Sequence, residues 1–127
     1  MGLFIDIRTI DHKIHRYPSV GDYFVGANGR IMIQVSNLGN WKEEILIALH
    51  ELVEYALVLD RGISIEEIDL WDINFKGEGE PGDDSKSPYH KEHIFATNIE
   101  REMALALGVS WSDYENNINK LFKEEGQ

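Results

Sequence analysis

The stretch that decides the fold is Ile45–Leu59, ILIALHELVEYALVL, whose ionisable residues are His50, Glu51 and Glu54. A nearly continuous apolar run of this length predicts a helix that is buried on all sides. At about 100° per residue, Glu51 and Glu54 project from the same side of that helix as His50. Charged groups inside a protein need a partner, a proton or a metal ion. The trio is therefore the feature that calls for a functional explanation.

The composition is that of a globular protein, with 127 residues and an apolar fraction of 43%, and it predicts one domain over residues 1–127. No apolar run reaches the roughly 18 residues of a membrane span, and no signal-peptide pattern is present, so we expect no membrane contact and a cytoplasmic location. The net charge of −11 argues against a nucleic-acid partner. Because the chain has no cysteine, any metal site must use histidine and carboxylate ligands.

Three segments before the apolar run have the pattern of strands. Leu3–Arg8 alternates apolar and polar residues, while Asp22–Val25 and Arg30–Val35 flank an Asn28-Gly29 pair, which is a strong hairpin signal. These segments predict a small, mainly antiparallel, three-stranded sheet.

The apolar run itself belongs to a longer predicted helix, from Trp41 to Asp60. Asn40 is placed to cap its N-terminus, Glu43 to complete a capping box, and Gly62 to end it.

Three further helices are predicted downstream. Ser64 begins the second, a Gly- and acid-rich loop covers residues 76–87, Ser87-Pro88 begins a third that ends before Gly108, and Ser110 begins the last. The order of three strands followed by four helices defines an α+β fold.

His50 and Glu54 are one helical turn apart, a spacing at which two side chains reach the same ion. Glu51 lies between them and could accept a proton from a water on that ion. This is the arrangement of H-E-x-x-H metallohydrolases, with a carboxylate in place of the second histidine. A glutamate ligand suits zinc and also manganese or iron.

A third metal ligand must come from elsewhere in the chain. His93 on the third helix is the first choice and His90 the alternative, while Glu100 is placed to accept a hydrogen bond from a ligating histidine. Asp83 and Asp84 in the preceding loop could add a ligand or close over a substrate.

Simpler interpretations apply to the same residues. His50 and Glu54 could form a buried hydrogen-bonded pair without a metal. His12 and His15, in a polar connector beside Arg16, are expected at the surface, and Asp83 and Asp84 could be solvated loop charges.

Residues 31–57, IMIQVSNLGNWKEEILIALHELVEYAL, resemble the core of small zincin-like metallopeptidases, in which an edge strand precedes a helix with a metal-binding H-E pair. The resemblance implies that Ile31–Val35 is the edge strand, His50 a zinc ligand and Glu51 the general base. Glu54 stands where that family has its second histidine.

The chain also resembles small phage- and prophage-encoded proteins of unassigned function. The shared features are the H-E-L-V-E helix at 50–54, the P-G-D loop at 81–83 and the Y-H-x-E-H helix start at 89–93. This resemblance implies no particular activity.

Together these patterns predict a metal-dependent hydrolase acting on a peptide or small molecule, with zinc as the first choice of metal. One alternative is a non-enzymatic, acidic phage accessory or inhibitor protein that binds a host protein. Another is phosphoester hydrolysis at the same site, for which Lys76, Lys86 and Lys91 are the candidate phosphate contacts.

Overall fold

The computed structural model describes residues 2–125, and the side chains of residues 2–123. Within this range three strands precede four α-helices, which confirms the predicted α+β class. No helix in the same range combines the length and apolar character needed to cross a membrane. The strands are β1 (Ile5–Ile10), β2 (Gly21–Val25) and β3 (Ile31–Ser36), and the helices are α1 (Trp41–Asp60), α2 (Ile65–Asn74), α3 (His90–Leu107) and α4 (Trp111–Glu125).

The sheet is mixed, with the strand order β1-β3-β2. Strands β2 and β3 form the predicted antiparallel hairpin, and Asn28 and Gly29 in its turn have φ angles of 64° and 71°. Strand β1 pairs in parallel with β3, because the chain crosses the sheet between β1 and β2 and then returns through the hairpin. The sheet is therefore not mainly antiparallel, and β3 is its central strand rather than the edge strand implied by the zincin resemblance.

The core lies between the sheet, α1 and α3. Ile33 and Val35 of β3 are at most 1% exposed, as the alternation in this strand predicts. Helix α1 packs against the sheet and against α3. Its other side is open to solvent, since Ile45 and Leu59 are 45% and 59% exposed. The prediction that this helix is buried on all sides is thus wrong, because the elements that the structure describes cover only part of its surface.

Asn40 caps α1 as predicted, since its Oδ1 accepts from the backbone N–H groups of residues 42 and 43. The predicted capping-box partner differs. Glu44, not Glu43, reaches back to the preceding turn and accepts from the backbone N–H groups of residues 38 and 39. Glu43 is buried and accepts instead from Asn117 of α4, a contact that a local motif cannot predict.

Helix α3 begins at His90, two residues after the predicted start. Residues 87–89 form a turn in which the Ser87 hydroxyl accepts from the backbone N–H of Tyr89. The helix ends where predicted, at Gly108, whose φ of 70° is in the left-handed region that favours glycine. The first turns of α3 therefore face the polar side of α1.

Candidate metal centre

The packing of α1 against α3 brings three predicted ligands together in the interior. His50 Nε2 lies 3.0 Å from Glu54 Oε2 and 3.2 Å from His93 Nδ1, and His93 Nδ1 lies 3.0 Å from Glu54 Oε2. All three residues are at most 7% exposed. Two of these candidate ligands come from one turn of α1 and the third from α3.

This triangle of donor atoms fits a small divalent cation. Zinc–nitrogen and zinc–oxygen bonds of 2.0–2.1 Å in a tetrahedron place neighbouring ligand atoms about 3.3 Å apart. The three measured separations of 3.0–3.2 Å are close to that value. His50, Glu54 and His93 are therefore a buried group that could hold a metal ion. Three protein ligands would leave one tetrahedral position for water or substrate.

A hydrogen-bond chain through Glu100 orients the His50 ring. His50 Nδ1 donates to Glu100 Oε1 at 2.7 Å, and the other oxygen of Glu100 accepts from the Tyr114 hydroxyl at 2.6 Å. This is the kind of contact expected for a metal-binding histidine, whose outer nitrogen usually donates to a carboxylate. It turns His50 Nε2 toward Glu54 and His93.

The loop before α3 holds the second imidazole in the same way. His93 Nε2 lies 3.0 Å from Glu80 Oε2 and 3.0 Å from Asp83 Oδ1, which leaves Nδ1 toward the triangle. Gly82 lies against the same ring, so closely that a Cβ there would sit 2.5 Å from His93 Cγ. The loop thus needs glycine at position 82 because of this close approach.

A residue of the sheet orients the shared carboxylate. The Tyr23 hydroxyl on β2 donates to Glu54 Oε1 at 2.6 Å, while Oε2 faces the two imidazoles. Burial would raise the pKa of Glu54, but the hydrogen bonds from His50 and His93 outweigh it and lower the pKa to about 2. Glu54 is therefore ionised at neutral pH, as a metal ligand must be.

Glu51 is the carboxylate beside the triangle that makes no hydrogen bond to an imidazole ring. Its Oε2 lies 4.0 Å from His50 Nε2, and its side chain is 13% exposed. It makes no hydrogen bond to the residues that the structure describes. Gly21 of β2 leaves room for it, since a Cβ there would lie 2.9 Å from Glu51 Cγ. Burial and the nearby charge of Glu54 raise the pKa of Glu51 well above its usual value.

Without a cation, protons balance the charge of the cluster. Burial would lower the pKa of His93, but hydrogen bonds to Glu54 and Glu80 outweigh it and raise the pKa to about 10. The pKa of His50 is likewise well above its usual value, because Glu100 and Glu54 outweigh the effect of burial. A metal ion that takes the inner nitrogens would therefore release protons.

The other predicted candidates lie outside the triangle. His90 Nδ1 donates to the carbonyl of Gly82 at 2.9 Å. This hydrogen bond connects His90 to the loop before α3, and His90 is not part of the triangle. Asp83 contacts the outer nitrogen of His93, whereas Asp84 caps a turn by accepting from the backbone N–H of Lys86. The two loop aspartates therefore have different contacts: Asp83 contacts His93, whereas Asp84 caps its own turn.

The expectation that His12 lies at the surface is wrong. His12 is 8% exposed, and its Nδ1 lies 2.8 Å from the hydroxyl of buried Ser36. His15 is half-buried and contacts the same hydroxyl through Nε2. Both stand at the end of the sheet, because the chain turns back over β3 after β1, and neither belongs to the metal-binding group.

Sequence reasoning missed several residues that hold the cluster. They are Tyr23, Tyr114, Glu80, Gly21 and Gly82. Tyr23 and Tyr114 look like ordinary core aromatics in the sequence, since nothing local distinguishes a hydroxyl that meets a distant carboxylate. The P-G-D segment at 81–83 was the available signal for the loop, because a glycine between Pro and Asp allows a close approach.

The fold and the cluster define a small α+β protein whose two longest helices carry a buried His/Glu group suited to a metal ion. A scan against protein-family models and searches of curated proteins and of solved structures gave no match. What this chain does is therefore inferred from its own residues.

Proposed function

We propose that this protein is a metal-dependent hydrolase in which His50, Glu54 and His93 hold the ion and Glu51 is the general base. The observation that carries the proposal is the triangle itself. Its two imidazoles are oriented by outer carboxylates, and a further carboxylate that holds neither ring lies beside them. Zinc is the first choice because the set is small, rich in nitrogen and fits a tetrahedron, while manganese or iron would also accept it.

Each residue of the site would have a separate role. A bound ion would supply Lewis acidity and lower the pKa of a bound water. Glu51 is positioned to take the proton of that water and pass it to a leaving group, and its raised pKa makes it a stronger base than an ordinary carboxylate. Glu100 and Tyr23 keep His50 and Glu54 in the orientation that binding requires.

The charges around the cluster favour a peptide-like substrate over a phosphoester. Glu51, Glu80 and Asp83 surround the triangle, and these carboxylates would repel a phosphate. Arg16 is already bound by two carboxylates, those of Asp22 on β2 and of Asp69 on α2. Strand β2 is an edge of the sheet beside the cluster, and an extended peptide can pair with such an edge.

Metal content is the first test of the proposal. Elemental analysis of the purified, untagged protein should give one equivalent of zinc, manganese or iron. The His50→Ala/Glu54→Ala variant should have lost it. His90→Ala, on the same helix as His93 but outside the triangle, should retain it. If the wild type neither contains nor takes up a metal, the proposal is wrong.

The role of Glu51 needs a separate test, because its nearest approach to a proposed ligand is 4.0 Å, from Oε2 to His50 Nε2, and it takes no part in the hydrogen bonds of the triangle. Glu51→Gln should keep the metal and lose hydrolysis in a screen of peptides, with phosphoesters as a comparison set. The amide has the same size but cannot accept a proton from water. Full hydrolysis by this variant would remove Glu51 as the base while leaving the metal site intact.

A non-enzymatic function is the second candidate. Its support is that protonated His50 and His93 satisfy the buried carboxylates without an ion. In that case the cluster holds α1 to α3, and the acidic surface binds a host protein, in keeping with the phage resemblance. A stoichiometric partner recovered from host lysate, and retained by the His50→Ala variant, would favour this function.

A further inference from the structure

We propose that two copies of the chain associate through strand β1, which pairs with itself in antiparallel fashion about Ile7. The result would be one continuous six-stranded sheet with a two-fold axis at its centre. This inference is independent of the proposed hydrolase activity, because β1 lies on the side of β3 opposite to β2, the strand that carries Tyr23.

Strand β1 has an open edge. It is the first strand in the order β1-β3-β2, so one side of its backbone pairs with β3, while the other side pairs with no strand among residues 2–125. The Phe4 carbonyl accepts from Ile31 N–H and the Ile10 carbonyl from Asn37 N–H, which places even-numbered backbone groups toward β3. Because successive residues alternate, the odd-numbered groups point outward. These outward groups belong to Ile5, Ile7 and Thr9.

The side chains at this edge do not protect it. Ile5 and Ile7 are 38% and 48% exposed, and Leu3 and Phe4 just before the strand are each 68% exposed. Natural edge strands are usually shielded by inward-pointing charges, prolines, bulges or a covering element. An apolar edge of this kind is suited to another strand.

The charges on β1 select a second copy of the same strand as that partner. With Ile7 opposite Ile7 of the second copy, Asp6 of each chain faces Arg8 of the other. These are the non-hydrogen-bonded positions, where side chains come closest. Asp6 and Arg8 already form an ion pair at 2.7 Å within one strand, so they lie on the same face. The symmetric dimer would gather the four charges on one face of the sheet, with each Asp6 opposite an Arg8.

Neighbouring registers lack this match. A centre at residue 6 would place Asp6 against Asp6, and a centre at residue 8 would place Arg8 against Arg8. The like net charge of −11 on each copy opposes association at long range. At physiological salt that repulsion is screened beyond about 8 Å, whereas charges in contact across the strands still attract.

Cysteine cross-linking tests the register, and the chain has no native cysteine to interfere. Directly opposite residues at a hydrogen-bonded position have Cα atoms about 5.5 Å apart, within the range that a disulfide spans. Ile7→Cys should therefore cross-link to itself on mild oxidation. Ile5→Cys and Thr9→Cys should each fail alone but cross-link when mixed. Ile14→Cys, which is 68% exposed and outside the strand, is the control for random collision.

A charge-swap mixture tests the attraction between strands, because each variant alone is compared with the two variants mixed. Asp6→Arg makes every facing pair positive and Arg8→Glu makes every facing pair negative, so each variant alone should sediment as a 14.6 kDa monomer. Mixed together, every facing pair becomes Arg opposite an acid. The mixture should form a species of twice the mass, about 29 kDa.

Each outcome of these experiments would either support or overturn the proposed dimer. A wild-type dimer in sedimentation equilibrium, cross-linking confined to the predicted pairs, and rescue on mixing would support the proposal. A wild-type monomer at all concentrations, or equal cross-linking of Ile14→Cys and Ile7→Cys, would overturn it. A dimer that forms unchanged in both charge variants would place the interface elsewhere and would also overturn it.

Discussion

The substitution Glu100→Gln tests how far the metal site depends on a residue that would not touch the ion. Glu100 accepts from His50 Nδ1 at 2.7 Å and from the Tyr114 hydroxyl at 2.6 Å. The amide keeps the size of the side chain but removes its charge. It therefore weakens a charge-assisted hydrogen bond that orients the imidazole and raises its basicity.

The expected magnitude follows from that contact. Loss of a carboxylate behind a ligating histidine typically lowers metal affinity about 10- to 100-fold, which is about 1.4–2.7 kcal/mol of binding free energy. Because Glu100 is only 7% exposed, water cannot replace the lost interaction readily. Stability of the metal-free protein should also fall, on the order of 1–3 kcal/mol.

The assay is competition with a coloured zinc chelator, with chemical denaturation of the metal-free protein measured separately. Glu92→Gln is the matched control. Glu92 lies on the same helix, is 4% exposed and pairs with Arg61, the residue just after α1, but it makes no ion pair with the residues of the triangle. The control should lose stability and keep its metal affinity.

The reasoning would be refuted by a Glu100→Gln variant that binds zinc as tightly as the wild type. It would also be refuted if Glu92→Gln weakened metal binding equally, because the effect would then come from general loosening of α1 against α3. Tyr114→Phe should give a smaller loss of affinity in the same direction, since it acts on His50 only through Glu100.

Three further predictions concern residues around the cluster. Gly82→Ala should lower metal affinity in the chelator assay, because its Cβ would meet His93 Cγ at 2.5 Å; unchanged affinity would mean that the loop moves freely. Tyr23→Phe should cost about 1–3 kcal/mol in urea unfolding, because it leaves a buried oxygen of Glu54 without its donor. Burial raises the pKa of Asp72 to about 6 despite hydrogen bonds from two tyrosine hydroxyls. Because this folded-state pKa lies above the usual value of 3.8 for an aspartate, the stability from Asp72 is present in full below about pH 4 and is lost as the pH rises through about 6. Asp72→Asn should therefore flatten urea-unfolding stability between pH 4 and 7, and an unchanged pH profile would contradict this assignment.

Local patterns carried most of the fold prediction. The bounds of α1, the hairpin at Asn28-Gly29 and the Gly108 stop of α3 each depend on a few neighbouring residues, and each was predicted. The errors came from contacts between distant segments. The direction of β1 relative to β3 depends on how the connector crosses the sheet, and neither strand encodes it.

The candidate site divides in the same way. Placement of His50, Glu51 and Glu54 on one side of a helix follows from helix geometry, so the sequence determines it wherever α1 lies. The separation of 3.0 Å between Glu54 and His93 joins residues 39 positions apart and exists only because α1 packs against α3.

The sequence by itself therefore determined the elements, their order and which residue types could bind a metal, because these follow from local periodicity and chemistry. Only the tertiary structure decided that His93 and not His90 completes the triangle. Only it decided that Glu100 and Tyr23 hydrogen-bond to His50 and Glu54, and that Glu51 is left without a hydrogen bond among the described residues. The physical reason is that a buried polar contact depends on the relative position of two packed elements, and the packing of the whole core sets that position.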